Sequence, residues 1–152
     1  MAKDARPPRT LAEKVDHLFR TAKPPHGKGE YTHEQVAAAL RDAGGPTISA
    51  TYVWQLRKGI RDNPTKAHLE ALAAFFGVAP SYFFDEDSAE RIEAELDLLA
   101  AMRDPAVRSI ALRVSDLSTG SIKAILGMVE QARRMEGLPD EPVDSGDESI
   151  NS

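Results

Sequence analysis

Thr51, Trp54, Gln55 and Lys58 fall within the segment ISATYVWQLRKG, Ile48 to Gly59, which holds the single tryptophan of the chain. Their side chains supply a hydroxyl, an indole, an amide and a cation. Read as a helix at about 100° per residue, the segment sets these four on one side and Tyr52, Val53 and Leu56 on the other. An amide can pair both polar atoms with adenine, a threonine methyl packs on a thymine methyl, and a cation meets phosphate. The outward side has the chemistry of a duplex reader, and the inward side that of a core.

Neighbouring residues fit the same chemistry. Arg57, Lys58 and Arg61 put three cations within five residues at the helix end and the following turn, where phosphates would lie. Ser49 is first a helix cap and second a phosphate ligand, with Ala50 beside it at the helix start. Thr32 caps the preceding helix, whose unpaired N–H groups and positive dipole end suit a phosphate. Lys23, His26 and Lys28 stand in the loop before it.

Other chemistries lack their residues. The chain has no cysteine, which excludes disulfides, Cys-based zinc sites and cysteine nucleophiles. His17, His26, His33 and His68 are scattered, and HEQVA lacks the second histidine of a zinc-protease helix. GKGE is not a phosphate loop, and no serine sits in a Gly-x-Ser-x-Gly turn. No catalytic residue, metal site or cofactor is expected, and a small-molecule effector is not legible. No apolar run approaches the ~20 residues of a membrane span. No apolar stretch follows the basic start, so the expected location is the cytoplasm.

The elements that must position these residues are helical. Thr10 and Glu13 form a capping box for TLAEKVDHLFRTA, with Leu11, Val15, Leu18 and Phe19 on one face. A Pro/Gly loop, KPPHGKGEY, leads to HEQVAAALRDAGG, capped by Thr32 with Gln35. Gly59 ends the helix that Ser49 begins. TKAHLEALAAFFGV is a fourth helix, and APSYFF a short fifth that plugs the core. SAERIEAELDLLAAMRD, a helix opened by Pro105, and STGSIKAILGMVEQARRMEG complete an all-α chain. The expected boundaries are a flexible start at 1–9, a helix-turn-helix domain at 10–85, a helical dimerisation domain at 86–136, and a disordered acidic tail at 137–152.

THEQVAAAL, ISATYVWQLRKGIRDNPT and LAAFFGVAPSYF together resemble the Cro/C1-type (XRE) helix-turn-helix family. With the loop prolines and AMRDPAVRSIALR, the chain looks most like the EspR group of actinobacterial regulators, over most of residues 10–136. The resemblance implies a five-helix DNA-binding domain and a transcription regulator that also organises the nucleoid, dimerising through C-terminal helices. It maps base contacts onto Ala50, Thr51, Trp54 and Gln55. Arg57 departs from the acidic residue common at its position in the wider family.

Charge and apolar excess point the same way. Residues 1–85 hold 12 Lys and Arg against 9 Asp and Glu, while residues 86–152 hold 7 against 15. The first half suits an anionic partner, double-stranded DNA. The second carries a stripe wider than one neighbour needs, with Ile110, Val114, Ile122, Ile125, Leu126 and Val129 as candidate dimer contacts. A second copy of the chain is therefore the expected partner, with higher assembly left open. The competing reading is a protein-interaction adaptor that keeps the helix-turn-helix fold without specific DNA binding.

Overall fold

The computed structural model describes residues 7–140, which form eight helices and no strand. Residues 1–6, part of the start expected to be flexible, and the segment from 141 onward, where most of the acidic tail was expected, lie outside the described residues. The helices are α1 (Leu11–Thr21), α2 (His33–Asp42), α3 (Ala50–Lys58), α4 (Lys66–Phe76), α5 (Ser81–Phe84), α6 (Glu86–Ala101), α7 (Pro105–Val114) and α8 (Thr119–Met135). The chain divides into two compact units, one running from Pro7 to Pro105 and one from Ala106 onward.

Local chemistry sets where the helices of the first unit begin and end. Thr10 Oγ1 accepts the Glu13 N–H at 3.2 Å while the Glu13 carboxylate accepts the Thr10 N–H at 2.8 Å. Thr32 and Gln35 form the same reciprocal box ahead of α2. Ser49, Thr65 and Asp85 cap α3, α4 and α6 through their side-chain oxygens. Gly59 stops α3 in the left-handed region, at φ 77°, where a Cβ would also crowd Ala12.

α1 is shared between two clusters. Val15 and Phe19 join Val36, Leu40, Ile48, Val53, Leu56 and Leu72 in the main core. Leu18 faces the other way and packs with Tyr82, Ala89 and Ile92. The fully buried Tyr82 donates its hydroxyl to the Lys14 carbonyl at 3.2 Å, so α5 does plug the domain. Burial pushes the Tyr82 phenol above its ordinary pKa.

α6 packs on α1 and α5. The first unit thus runs past the boundary expected at residue 85. Ala89 and Ile92 supply the apolar contact, and charged groups line its margins. Arg9 Nε lies 2.9 Å from Glu93, Lys14 Nζ 3.1 Å from Glu86, and His17 Nε2 3.2 Å from Asp97. Lys14 is buried apart from this contact, so its ammonium depends on the Glu86 carboxylate.

The second unit holds α7 and α8. Pro105 occupies the first turn of α7, as its fixed φ favours, and Ser118 caps α8 by accepting the Ser121 N–H. Neither helix contains a buried residue.

His17 gives the first unit a pH dependence. Burial lowers its pKa below the ordinary 6.5, Arg9 adds to the effect, and Asp97 and Glu93 only partly oppose it. His33 is lowered as well, by burial and then by Arg57 and Lys58. A depressed histidine pKa means that the unfolded chain binds the extra proton first. Chemical denaturation should therefore show stability level just above neutrality and falling as pH drops through 6.5, and His17→Gln should lose part of that slope.

Candidate nucleic-acid interface

α3 is held by few but well-spaced contacts. Val53 and Leu56 are fully buried, and Ser49 Oγ accepts the Tyr52 N–H at 3.0 Å. The Tyr52 hydroxyl lies 3.2 Å from His68 Nδ1, and the two rings meet edge to face, which pins α3 to α4. Past Gly59 the chain turns back on the helix end, so that Ile60 and Arg61 both donate their N–H groups to the Gln55 carbonyl.

The opposite side of α3 is open. Thr51, Trp54 and Lys58 are exposed and Gln55 is half-buried. Trp54 shows 41% of its surface, an unusual allowance for the largest apolar side chain. Ser49 and Arg61 are exposed at the two ends of the helix, and Ala50 is half-buried at its first position.

Four of the expected residues come together in space. Thr32, Ala50, Thr51 and Trp54 line a shallow concavity, open to solvent, where the start of α2 meets the outward face of α3. His33 and Glu34 complete its lining. Sequence reading did not single out these two. The signal available was position, since both belong to the first turn after the Thr32 cap. The His33 ring packs 5.2 Å from Phe19, and its buried Nε2 makes no hydrogen bond.

Arg57 corrects the expected cluster of phosphate-binding cations. It does not stand with Lys58 and Arg61 at the surface. Its side chain is 14% exposed, with Nε donating to Asp16 at 2.8 Å and Nη2 donating to Glu30 at 2.8 Å. The guanidinium also lies 4.6 Å from the centre of the Phe19 ring. One position along a helix is a turn of about 100°, enough to send Arg57 inward while Lys58 stays out. Burial works against its charge, but the hydrogen bonds it donates to Asp16 and Glu30 outweigh it and raise the pKa.

Lys23, His26 and Lys28 in the loop are all exposed. No described group of three or more His, Asp or Glu is placed to hold a metal ion, and no described helix is long and apolar enough to cross a membrane.

In the second unit, Ile110, Ile122, Leu126 and Val129 are exposed, while Val114 and Ile125 are half-buried. Leu112 and Met128 add to this apolar surface, each more than 70% exposed.

No family model matches the chain. It is, however, similar to the nucleoid-associated protein EspR of Mycobacterium tuberculosis, in each of two strains. The identity is 42% over 129 residues, which span 85% of this chain and 96% of that protein. A likeness of that degree, running through both compact units, means that the chain belongs to the EspR family.

Proposed function

We propose that the protein is a nucleoid-located, double-stranded-DNA-binding transcription regulator that reads the major groove with α3. The carrying observation is the bare outward side of α3, where Thr51, Trp54, Gln55 and Lys58 lie opposite the fully buried Val53 and Leu56. A core-facing stripe and a polar, cationic outer stripe on one short helix are what groove reading requires. The description of its relative as nucleoid-associated supports the same reading. The order and capping of α1–α5 support a Cro/C1-type (XRE) domain.

Within this reading, Gln55 pairs with a base edge, Thr51 and Ala50 make apolar contacts to thymine methyls, and Trp54 packs at the groove wall. Thr32, Ser49, Lys58 and Arg61 meet the phosphate backbone. Glu34 opposes a phosphate placed directly over the α2 terminus, which favours a contact on the Thr32 side.

The reading includes a homodimer formed through α7 and α8. Ile110, Val114, Ile122, Ile125, Leu126 and Val129 would be covered by the second copy. The supporting observation is that neither helix of this unit has a fully buried residue within one chain, and that Ile110, Ile122, Leu126 and Val129 are exposed. Two linked heads also raise affinity for paired half-sites above that of one. The exposure of Trp54 is equally what a protein-binding adaptor would need, so the decisive test is DNA itself.

Electrophoretic mobility shifts against genomic fragments should show binding that weakens steeply with salt, and the adaptor would give no shift. Gln55→Ala should lose about 1–3 kcal/mol at a preferred site and relax selectivity at one base position. Arg61→Ala should weaken binding to every sequence and flatten the salt slope by about one. Ile122→Glu should convert a dimer to a monomer in sedimentation, and a parent that sediments as a monomer would remove the dimer from the account.

A further inference from the structure

Arg57 sits on the helix proposed to read DNA, yet it is turned away from the surface. Its three partners come from two places in the chain. Asp16 and Phe19 belong to α1, and Glu30 to the end of the loop joining α1 to α2. Asp16 is itself held by Arg20 at 3.2 Å, which fixes one arm of the clamp. Glu30 stands two residues before Thr32, the cap of α2, and Thr32 borders the concavity with Thr51 and Trp54.

Besides Arg57, the loop is anchored at its end by Tyr31, whose ring meets Phe75 and Phe76 edge to face. Residues 22–32 contain no helix, and Lys23, His26, Lys28 and Glu30 are all exposed. A planar fork that binds one carboxylate through Nε and another through Nη2 is specific to arginine, because a lysine ammonium is a single point donor.

We propose that Arg57 is a positioning residue for DNA binding, which ties the α1–α2 loop to α3 so that the loop cations Lys23 and Lys28 meet the same phosphate backbone that α3 approaches. The inference rests on the reading of α3 as a DNA-binding helix. Arg57 touches no DNA in this arrangement. It acts by setting where the loop stands when the helix docks, which lowers the ordering cost at binding.

Glu30→Ala separates this role from simple charge. The substitution removes an anion, so charge alone predicts tighter DNA binding. The clamp predicts the reverse: several-fold weaker binding, and a salt slope flatter by about one to two as the loop lysines drop out. Asp62→Ala removes an exposed acid near Arg61 without touching the clamp, and should bind as tightly as the parent or more so. Arg57→Lys keeps the charge but loses the fork, and should resemble Glu30→Ala.

The experiment measures duplex binding at several salt concentrations and hydrogen exchange of the free protein for these variants. Faster exchange at residues 23–32 in Glu30→Ala, together with the flattened slope, is the expected result. Adding Lys23→Gln and Lys28→Gln should weaken the parent but do little further in Glu30→Ala. Unchanged or tighter binding by Glu30→Ala overturns the clamp alone, whether or not loop exchange changes. Equal lysine effects in both backgrounds also overturn it. A parent that does not bind duplex DNA overturns the functional reading and the inference together.

Discussion

α3 is nine residues long and gives the core two fully buried side chains, Val53 and Leu56. A helix that short does not persist alone in water, so its existence depends on what grips it. The narrowness of that grip is also what leaves its other side uncovered. Ser49 closes one end, Gly59 the other, Tyr52 leans on His68, and Arg57 reaches across to α1 and to the loop. Each contact comes from the inward half of the helix or its ends. Thr51, Trp54 and Lys58 are left to solvent.

The charges of the first unit are distributed by a related logic. Arg9, Lys14, Arg20 and Arg57 are committed to carboxylates, three of them against α6 or within α1 and one across the core edge. Lys23, Lys28, Lys58 and Arg61 are exposed. The acid of the C-terminal half is not spread evenly either. α6 alone carries Glu86, Asp87, Glu90, Glu93, Glu95 and Asp97 against Arg91, whereas α7 and α8 together carry Arg108, Arg113, Lys123, Arg133 and Arg134 against Glu130, a net positive charge. α6 packs on α1 and α5, so this acidic surface belongs to the unit that also holds α3.

Much of this was legible in the sequence because it is set within a few residues. The capping boxes at Thr10 and Thr32, the stop at Gly59, and the opening of α7 at Pro105 are local chemistry. The inward and outward faces of α3 followed from helical spacing, since Val53 and Leu56 lie three apart. Arg57 was not legible, because its partners lie 41 and 27 residues away and a cation beside Lys58 reads as part of one cluster. The packing of α6 was hidden for a different reason. Composition at residue 85 reports which side chains meet water, while Ala89 and Ile92, the two that bury, are a small part of a charged segment. His33 and Glu34 join the concavity only once α2 and α3 meet in space.

Trp54 is the single tryptophan, so its emission reports on the outward face of α3 and on nothing else. Titrating short duplex DNA into the protein while following that emission tests the central claim most directly. A saturable change in Trp54 fluorescence, reversed by added salt, is the predicted result. Duplex binding seen by anisotropy of a labelled DNA, with Trp54 emission unmoved throughout, would contradict it.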